Sequence, residues 1–121
     1  MSESSQFLEP LLRRMFAIID SGEWPKLREL YTVDCHYERP GYEPVEGLPG
    51  LIHFYTQVRR IDRGLHRIDA VVSNGSDAAV SGAFDGVLRD GAAVSVQFGD
   101  FYRFRGDLIC WRKSYFFAPV V

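Results

Sequence analysis

Residues 31–55 read YTVDCHYERPGYEPVEGLPGLIHFY and carry three structural signals in succession. A strand is predicted over residues 35–39, ending at Pro40, because proline cannot continue the hydrogen-bond ladder of a sheet. A loop rich in turn-forming residues follows, with Gly41, Pro44, Gly47 and Pro49. A helix is then predicted over residues 49–58 from apolar side chains at helical spacing, namely Leu51, Ile52, Phe54, Tyr55 and Val58.

Two helices are predicted before this stretch. Over residues 7–19 apolar side chains recur at three- and four-residue spacing, which is typical of an amphipathic helix, and the sequence Asp20-Ser21-Gly22 ends it. A shorter helix is predicted over residues 24–31, where Pro25 suits the first turn. The two should form a helical hairpin.

The chain after residue 64 is predicted to be an antiparallel meander. Four strand-like runs cover residues 65–72, 78–88, 92–104 and 108–120, and glycine-containing turns separate them near residues 75, 91 and 106. Helices first and a curved sheet afterwards indicate an α+β fold with the helices on one face of the sheet. At 121 residues the chain is expected to form one domain, with an ordered core over about residues 5–118.

Composition and charge exclude some classes of function. The net charge of −2 gives no basic field for nucleic acid, and Asp62 and Asp69 interrupt the arginines of residues 59–67. Neither a signal peptide nor an apolar run of membrane-spanning length is visible, so we expect a cytoplasmic protein that does not bind a membrane. Cys35 and Cys110 lie in strand-like runs and are expected to be free thiols in a reducing compartment.

The stretch from Tyr31 to Tyr55 resembles the signature of ketosteroid isomerases and SnoaL-like polyketide cyclases, in the nuclear transport factor 2-like superfamily. The anchors are Tyr31, Asp34, Pro40, Pro44, Gly47, Ile52, Phe54 and Tyr55, and residues 100–106 fit the family's long strand and turn. The resemblance implies a cone-shaped, mixed or antiparallel sheet around three N-terminal helices. It also implies a small-molecule cavity and commonly a homodimer.

The family's active-site positions are only partly kept. The residue before the proline is the family's general base, and here it is Arg39, which cannot accept a proton at neutral pH. The tyrosine of the family's oxyanion hole is replaced by Met15, while Asp100 keeps the aspartate. These differences argue against classical steroid isomerisation.

Residues two apart on a strand share a face, which gives an inventory of the pocket. If Asp100 faces inward, so do Val96, Phe98, Tyr102 and Phe104. The same parity places Cys35, Tyr37 and Arg39 inside on the first strand, and Trp111, Lys113 and Tyr115 inside on the last. For residues 78–88 two faces remain open: one with Ser81, Ala83 and Asp85, the other with Val80, Phe84 and Leu88. A β-bulge would reverse any of these assignments.

Convergence of Arg39, Asp85 and Asp100 would resemble limonene-type epoxide hydrolases, where an arginine lies between two carboxylates. One carboxylate would position a water and the other would protonate the departing oxygen. The alternative is a structural Arg39–Asp100 pair, because buried charges need partners.

The remaining candidates are a histidine and a tyrosine. His66 begins the second long strand and is either an acid or base near the pocket mouth or a strand-end residue bonded to backbone. Tyr55 lies on the pocket-lining helix, where its hydroxyl either orients a substrate group or only packs. No metal-ligand spacing and no phosphate- or dinucleotide-binding motif is present, so no metal and no cofactor are predicted.

The aromatic side chains of the last two strands favour a hydrophobic, polycyclic or polyketide-like ligand. The leading hypothesis is a cofactor-independent acid–base enzyme, either an isomerase, a cyclase or an epoxide hydrolase. Asp100 would be its main acid or base. The alternative is a non-catalytic ligand-binding or dimerisation module, with Phe84 and Phe116 on an exposed sheet face.

Overall fold

The computed structural model describes residues 3–117, with side chains from Leu8 onward. Helix α1 spans Glu3–Ser21, a 3-10 helix spans Trp24–Glu29, and α2 spans Gly47–His53 and continues as a π-helical turn over Phe54–Val58. The strands are β1 (Tyr31–Glu38), β2 (Val45–Glu46), β3 (Ile61–Ser73), β4 (Asp77–Leu88), β5 (Ala93–Arg105) and β6 (Leu108–Phe116). The predicted α+β order is confirmed. The second helix is a 3-10 helix, and the two-residue strand β2 was not predicted.

The six strands form one sheet in the order β2-β1-β6-β5-β4-β3. All neighbours are antiparallel except β1 and β6, which run parallel. The three predicted hairpins are present, since β3, β4, β5 and β6 pair consecutively. The first and last long strands therefore lie side by side in the middle of the sheet.

Helix α1 packs its apolar side against the inner face of this curved sheet. Leu12, Met15, Phe16 and Ile19 are buried there, at the three- and four-residue spacing that predicted the helix. From the sheet they meet apolar side chains of alternate residues, which include Val80, Phe98 and Ile109. The core thus lies between helix and sheet.

Glycines on β3 and β4 permit close packing of an aromatic ring. Gly64 and Gly86 are paired across the two strands. A Cβ atom on Gly64 would lie 2.3 Å from the Phe84 ring, and one on Gly86 would lie 2.6 Å from the same ring. The Phe84 ring therefore packs directly against the backbone of Gly64 and Gly86 and covers this end of the sheet's inner face.

Candidate functional site

The centre of the site is a buried ion pair between Asp100 on β5 and Arg112 on β6. Arg112 Nη2 and Nε donate to Asp100 Oδ2 over 2.7 and 3.1 Å. Tyr102 Oη donates to the same oxygen over 2.7 Å. The side chains are only 3% and 1% exposed, so the pair is stable only because hydrogen bonds replace the water that both charges lose.

Buried tyrosines complete the shell around Arg112. Its Nη1 donates to Tyr55 Oη over 2.8 Å and to Tyr31 Oη over 3.3 Å, and Tyr31 donates onward to Met15 Sδ over 3.0 Å. Burial raises the pKa of Tyr31, Tyr55 and Tyr102, so all three keep their protons at neutral pH.

A small cavity lies beside the ion pair. It measures about 10 Å³, which is room for about one water molecule. Its walls are formed by Phe16, Arg39, Ile61, His66, Phe84, Phe98, Asp100, Arg112 and Phe116. Within the described part of the chain, Asp100 Oδ1 is buried and accepts no hydrogen bond. An oxygen of this kind is costly to bury, so it is the atom of the site most in need of a ligand.

His66 faces this cavity from β3 and is held by Asp20 at the end of α1. The Asp20 carboxylate accepts from His66 Nδ1 over 2.6 Å and from the His66 backbone N–H over 2.9 Å. The imidazole ring lies against Phe16, Phe84 and Phe98, with ring centroids 4.7 to 5.6 Å away. Burial lowers the pKa of His66, although Asp20 acts in the opposite direction. Of the two alternatives predicted for His66, the structure agrees with a ring at the cavity; the ring is bonded to the Asp20 side chain and not to backbone.

Arg39 lies just beyond the end of β1, between the inner cavity and a surface pocket. Its guanidinium carbon lies 5.0 to 5.9 Å from the ring centroids of Tyr42, Phe54 and Phe116. Its Nη1 donates to Tyr37 Oη over 3.4 Å, and Tyr37 in turn bonds Ser114. Cys35, Tyr37 and Arg39 are all buried, as their parity predicted. The ion-pair partner of Asp100, however, is Arg112, where the sequence suggested Arg39.

Asp85 is not part of the site. It is exposed on the outer face of β4, while Val80 and Phe84 on the same strand are buried. The more apolar of the two predicted faces therefore turns inward, because burying Phe84 is favourable and burying Asp85 without a partner is costly. The arrangement of one arginine between two carboxylates is absent from the described residues.

The predicted inner face of the last strand is wrong. Trp111, Lys113 and Tyr115 do not point into the cone; the buried residues are Arg112 and Ser114. The cause is a β-bulge between β5 and β6, since Arg103 pairs with Trp111 but Phe104 pairs with Ile109. The residue skipped in this register is Cys110, and the parity reverses after it. On β5 no such shift intervenes, and Val96, Phe98, Asp100 and Tyr102 are buried as predicted.

Lys113 and Tyr115 instead border a surface pocket of about 210 Å³. Its other walls are Glu38, Arg39, Pro40, Tyr42, Pro44 and Ser114. Arg39 lines both this pocket and the inner cavity. The inner cavity that the family resemblance implies is thus small in the structure, and the rings of Phe16, Phe84, Phe98 and Phe116 form much of its wall.

The exposed aromatic pair expected on the outer face is also wrong. Phe84 is 3% exposed and packs inside with Ile61 and Val96, and Phe116 is partly buried against them. Among the described residues, the large apolar side chains exposed on strands β3, β5 and β6 are Leu65, Val72, Phe101 and Tyr115.

Residues 3–117 show neither a membrane-spanning helix nor a metal-binding cluster. No helix there has both the length and the apolar character to cross a membrane. No three His, Cys, Asp or Glu side chains among the described residues lie close enough together to hold a metal ion.

Sequence reasoning missed two functional candidates, Arg112 and Asp20. Asp20 looked like a helix-ending residue, and nothing local signals its contact with a strand 46 residues away. Arg112 had one signal: a buried Asp100 needs a cationic partner, and Arg112 is a cation on the neighbouring predicted strand.

Solved structures with the same fold come from several bacteria. A proposed SnoaL-like polyketide cyclase from Jannaschia sp. CCS1 is 16% identical, with a TM-score of 0.83 over 97% of this chain and 90% of that one. An NTF2-like protein from Anabaena variabilis ATCC 29413 is 21% identical, with a TM-score of 0.81 over 98% and 95%. A Catenulispora acidiphila protein with a ketosteroid isomerase-like fold, solved with trimethylamine, is 15% identical, with a TM-score of 0.78 over 87% and 83%.

No curated protein matches this chain. At these identities the solved structures establish the fold, and the sequence profile of the SnoaL-like domain establishes the family, since it matches residues 12–111. The matched range contains Asp100 and most of the helices and strands, and Arg112 follows directly after its last residue. The chain belongs to the SnoaL-like domain family, with the fold of the NTF2-like and ketosteroid isomerase-like proteins.

Proposed function

We propose that this protein is a cofactor-independent acid–base enzyme acting on a hydrophobic small molecule. The observation that carries the proposal is Asp100 Oδ1, a buried carboxylate oxygen without a hydrogen bond among the described residues, beside a cavity that also contains His66. A structural ion pair needs no second titratable group and no space next to it. Acid–base catalysis needs space for a reacting group beside the titratable side chain, and a second titratable group can return or remove the proton.

The neighbouring side chains give Asp100 a defined role. Three N–H and O–H groups of Arg112 and Tyr102 converge on Oδ2 and fix the carboxylate plane. The oxygen that remains, Oδ1, is aligned to accept a proton or a hydrogen bond from a ligand. Arg39, which lines the same cavity, favours negative charge that develops on the substrate.

The inner cavity holds about one water molecule, so a substrate enters only if the surrounding side chains move apart; the surface pocket that shares Arg39 with the cavity is the proposed entrance. Aromatic rings form most of the cavity walls. An apolar ligand that displaces one ring still packs against the others, so little apolar surface becomes exposed to water. This supports a hydrophobic substrate such as a polyketide, a terpene epoxide or a steroid enone. Isomerisation, cyclisation and epoxide hydrolysis all use the groups present.

The test begins with a ligand screen by thermal shift over steroid enones, terpene epoxides, aromatic polyketides and polar metabolites. A ligand at 100 times its dissociation constant stabilises the folded state by about 2.7 kcal/mol. At about 0.25 kcal/mol per degree for a chain of this size, that raises the melting temperature by about 10 °C. Stabilisation by one apolar class identifies the compounds for turnover assays.

Turnover is then compared between Asp100→Asn and Asp85→Asn. Both replace a carboxylate with an amide on a long strand, but Asp85 lies on the outer face. We expect Asp100→Asn to lower kcat by about 10²–10⁴-fold while still binding the ligand, and Asp85→Asn to match the wild type. Equal turnover by Asp100→Asn and wild type would contradict the proposal. Ligand binding without turnover by the wild type would favour the alternative, a binding module.

A further inference from the structure

Two polar atoms without a hydrogen-bond partner among the described residues belong to side chains that line the same small cavity. One is Asp100 Oδ1. The other belongs to His66, whose ring forms part of the cavity wall and whose Nε2 has no hydrogen bond to any described residue. The ligand that fits between them depends on whether the surrounding residues leave each of these two atoms protonated or unprotonated.

Asp20 fixes the tautomer of His66. A carboxylate oxygen only accepts, so the 2.6 Å contact between Asp20 Oδ1 and His66 Nδ1 requires the proton on Nδ1. The backbone N–H of His66 donates to the other Asp20 oxygen, which keeps the carboxylate in the plane needed for this contact. In a neutral ring Nε2 then carries the lone pair. Burial, which lowers the pKa of His66, supports the neutral ring.

The charged groups around His66 come from four parts of the fold. Asp20 approaches from α1, Asp100 from β5 and Arg112 from β6, and Arg39 lies across the cavity beyond the end of β1. The formal charges of the two arginines and the two carboxylates sum to zero. A further proton on the ring would add positive charge next to both arginines.

Asp100 adds the second acceptor. Its Oδ2 already accepts three hydrogen bonds, from Tyr102 Oη and from Nε and Nη2 of Arg112. Its Oδ1 accepts none from the described residues. A carbonyl, an ether or a carboxylate placed between Oδ1 and a lone pair on Nε2 would set acceptor against acceptor. A group with an O–H satisfies both, and the cavity has room for an atom of that size.

We propose that the Asp20–His66 pair is the proton acceptor of this site, and that it deprotonates an O–H group, from water or from a substrate hydroxyl, which Asp100 Oδ1 holds in place. This rests on the proposed function, acid–base catalysis, and specifies the reaction as C–O bond formation. The oxygen attacks an electrophilic carbon while its proton passes to His66 Nε2. The electron pair of the bond that this carbon loses goes to a substrate oxygen, which takes the proton back from the imidazolium. Asp20 is a positioning residue.

The first test needs no substrate. In ¹⁵N-labelled wild-type protein at pH 7, the His66 ring should show a protonated Nδ1 and an unprotonated Nε2. A nuclear Overhauser effect between a long-lived water and the His66 ring protons is expected as well. An Nε2–H tautomer or a fully protonated ring would overturn the proposal, because Nε2 would then be a donor. Asp69→Asn is the control, since Asp69 is an exposed carboxylate on the same strand as His66.

The second test uses a substrate identified in the ligand screen. Asp20→Asn places an amide N–H₂ against Nδ1 and favours the opposite tautomer, so kcat should fall by about 10²–10⁴-fold with little change in KM. The ¹⁵N spectrum of this variant should show the proton on Nε2. Normal kcat in a variant with the reversed tautomer would refute the role of the pair. If Asp20→Asn does not fold, the wild-type tautomer still decides the first test.

Isotopes separate the sources of the O–H group. Turnover in H₂¹⁸O that labels the new C–O bond identifies water, and an unlabelled new C–O bond identifies a substrate hydroxyl; both support the proposal. Exchange of a carbon-bound hydrogen with solvent deuterium, without C–O bond formation, would overturn it. That last result would leave acid–base catalysis by Asp100 intact, so the two proposals fail separately.

Discussion

Replacing Arg112 with methionine removes the cation from the buried pair and keeps a side chain of similar length. The Asp100 carboxylate, 1% exposed, then loses its partner, and Tyr55 loses a donor. Removing one member of a buried ion pair costs about 3–5 kcal/mol. At an unfolding entropy of about 2.1 cal/mol/K per residue, a chain of 121 residues loses about 4 °C of melting temperature per kcal/mol. The expected fall is therefore about 12–20 °C.

Calorimetry and urea unfolding would measure this loss, with Arg103→Met as the matched control because Arg103 is exposed on the outer face. The double variant Arg112→Met/Asp100→Asn removes both charges and leaves Tyr102 an acceptor. It should be more stable than the sum of the single losses predicts, by a coupling energy of about 1–3 kcal/mol. A loss below about 1 kcal/mol for Arg112→Met, or additive losses in the double variant, would refute the reasoning.

Three further predictions concern packing, pH and thiol reactivity. Gly82→Ala should destabilise the fold by several kcal/mol, because the added Cβ would lie 2.1 Å from a backbone oxygen of β3. Gly99→Ala is the control and should cost little, since its Cβ would lie 3.9 Å from the nearest atom. Equal urea midpoints for the two variants would contradict this prediction. Burial lowers the pKa of His66 below its usual 6.5, so its contribution to stability is present above that pH and is lost as the pH falls through the folded-state pKa. The melting temperature should therefore fall less between pH 7 and pH 5.5 in His66→Gln than in wild type, and parallel curves would argue against it. A thiol reagent should modify Cys110 in the native protein but reach Cys35 only after unfolding, because Cys35 is buried and burial raises its pKa to about 11. If both thiols reacted in the native protein, β1 would have to be more accessible than the structure shows.

The elements that sequence reasoning predicted well are those with local signals. The helix before residue 20 and the three hairpins follow from apolar spacing and glycine turns, and both reappear in the structure. On β1 alternation places Tyr37 inside correctly, and on β5, once Asp100 is taken to face inward, it places Phe98 and Tyr102 inside correctly. These strands keep their alternation across the residues that carry the site.

The errors arise where distant contacts decide. One extra residue at Cys110 turns Arg112 inward and Lys113 outward, and only the pairing with β5 shows the bulge. Alternation could not choose between the faces of β4, because Phe84 and Asp85 are neighbours and the burial of one excludes that of the other. The contact of His66 with Asp20 depends on how α1 crosses the sheet, which no spacing along the chain encodes.

The parallel neighbours β1 and β6 also bear on how the chain folds. Tyr31 and Arg112 touch although 81 residues separate them, and the hairpins between them can form earlier from local pairing alone. Contacts of such long sequence separation are slow to form, because the chain loses the entropy of a large loop before the contact stabilises it. The strand that closes the cone is the same strand that delivers Arg112 to Asp100. The pair of Arg112 with Asp100, only 12 residues apart, can therefore form with the local β5–β6 hairpin, whereas the contact of Arg112 with Tyr31 waits until β1 joins the sheet.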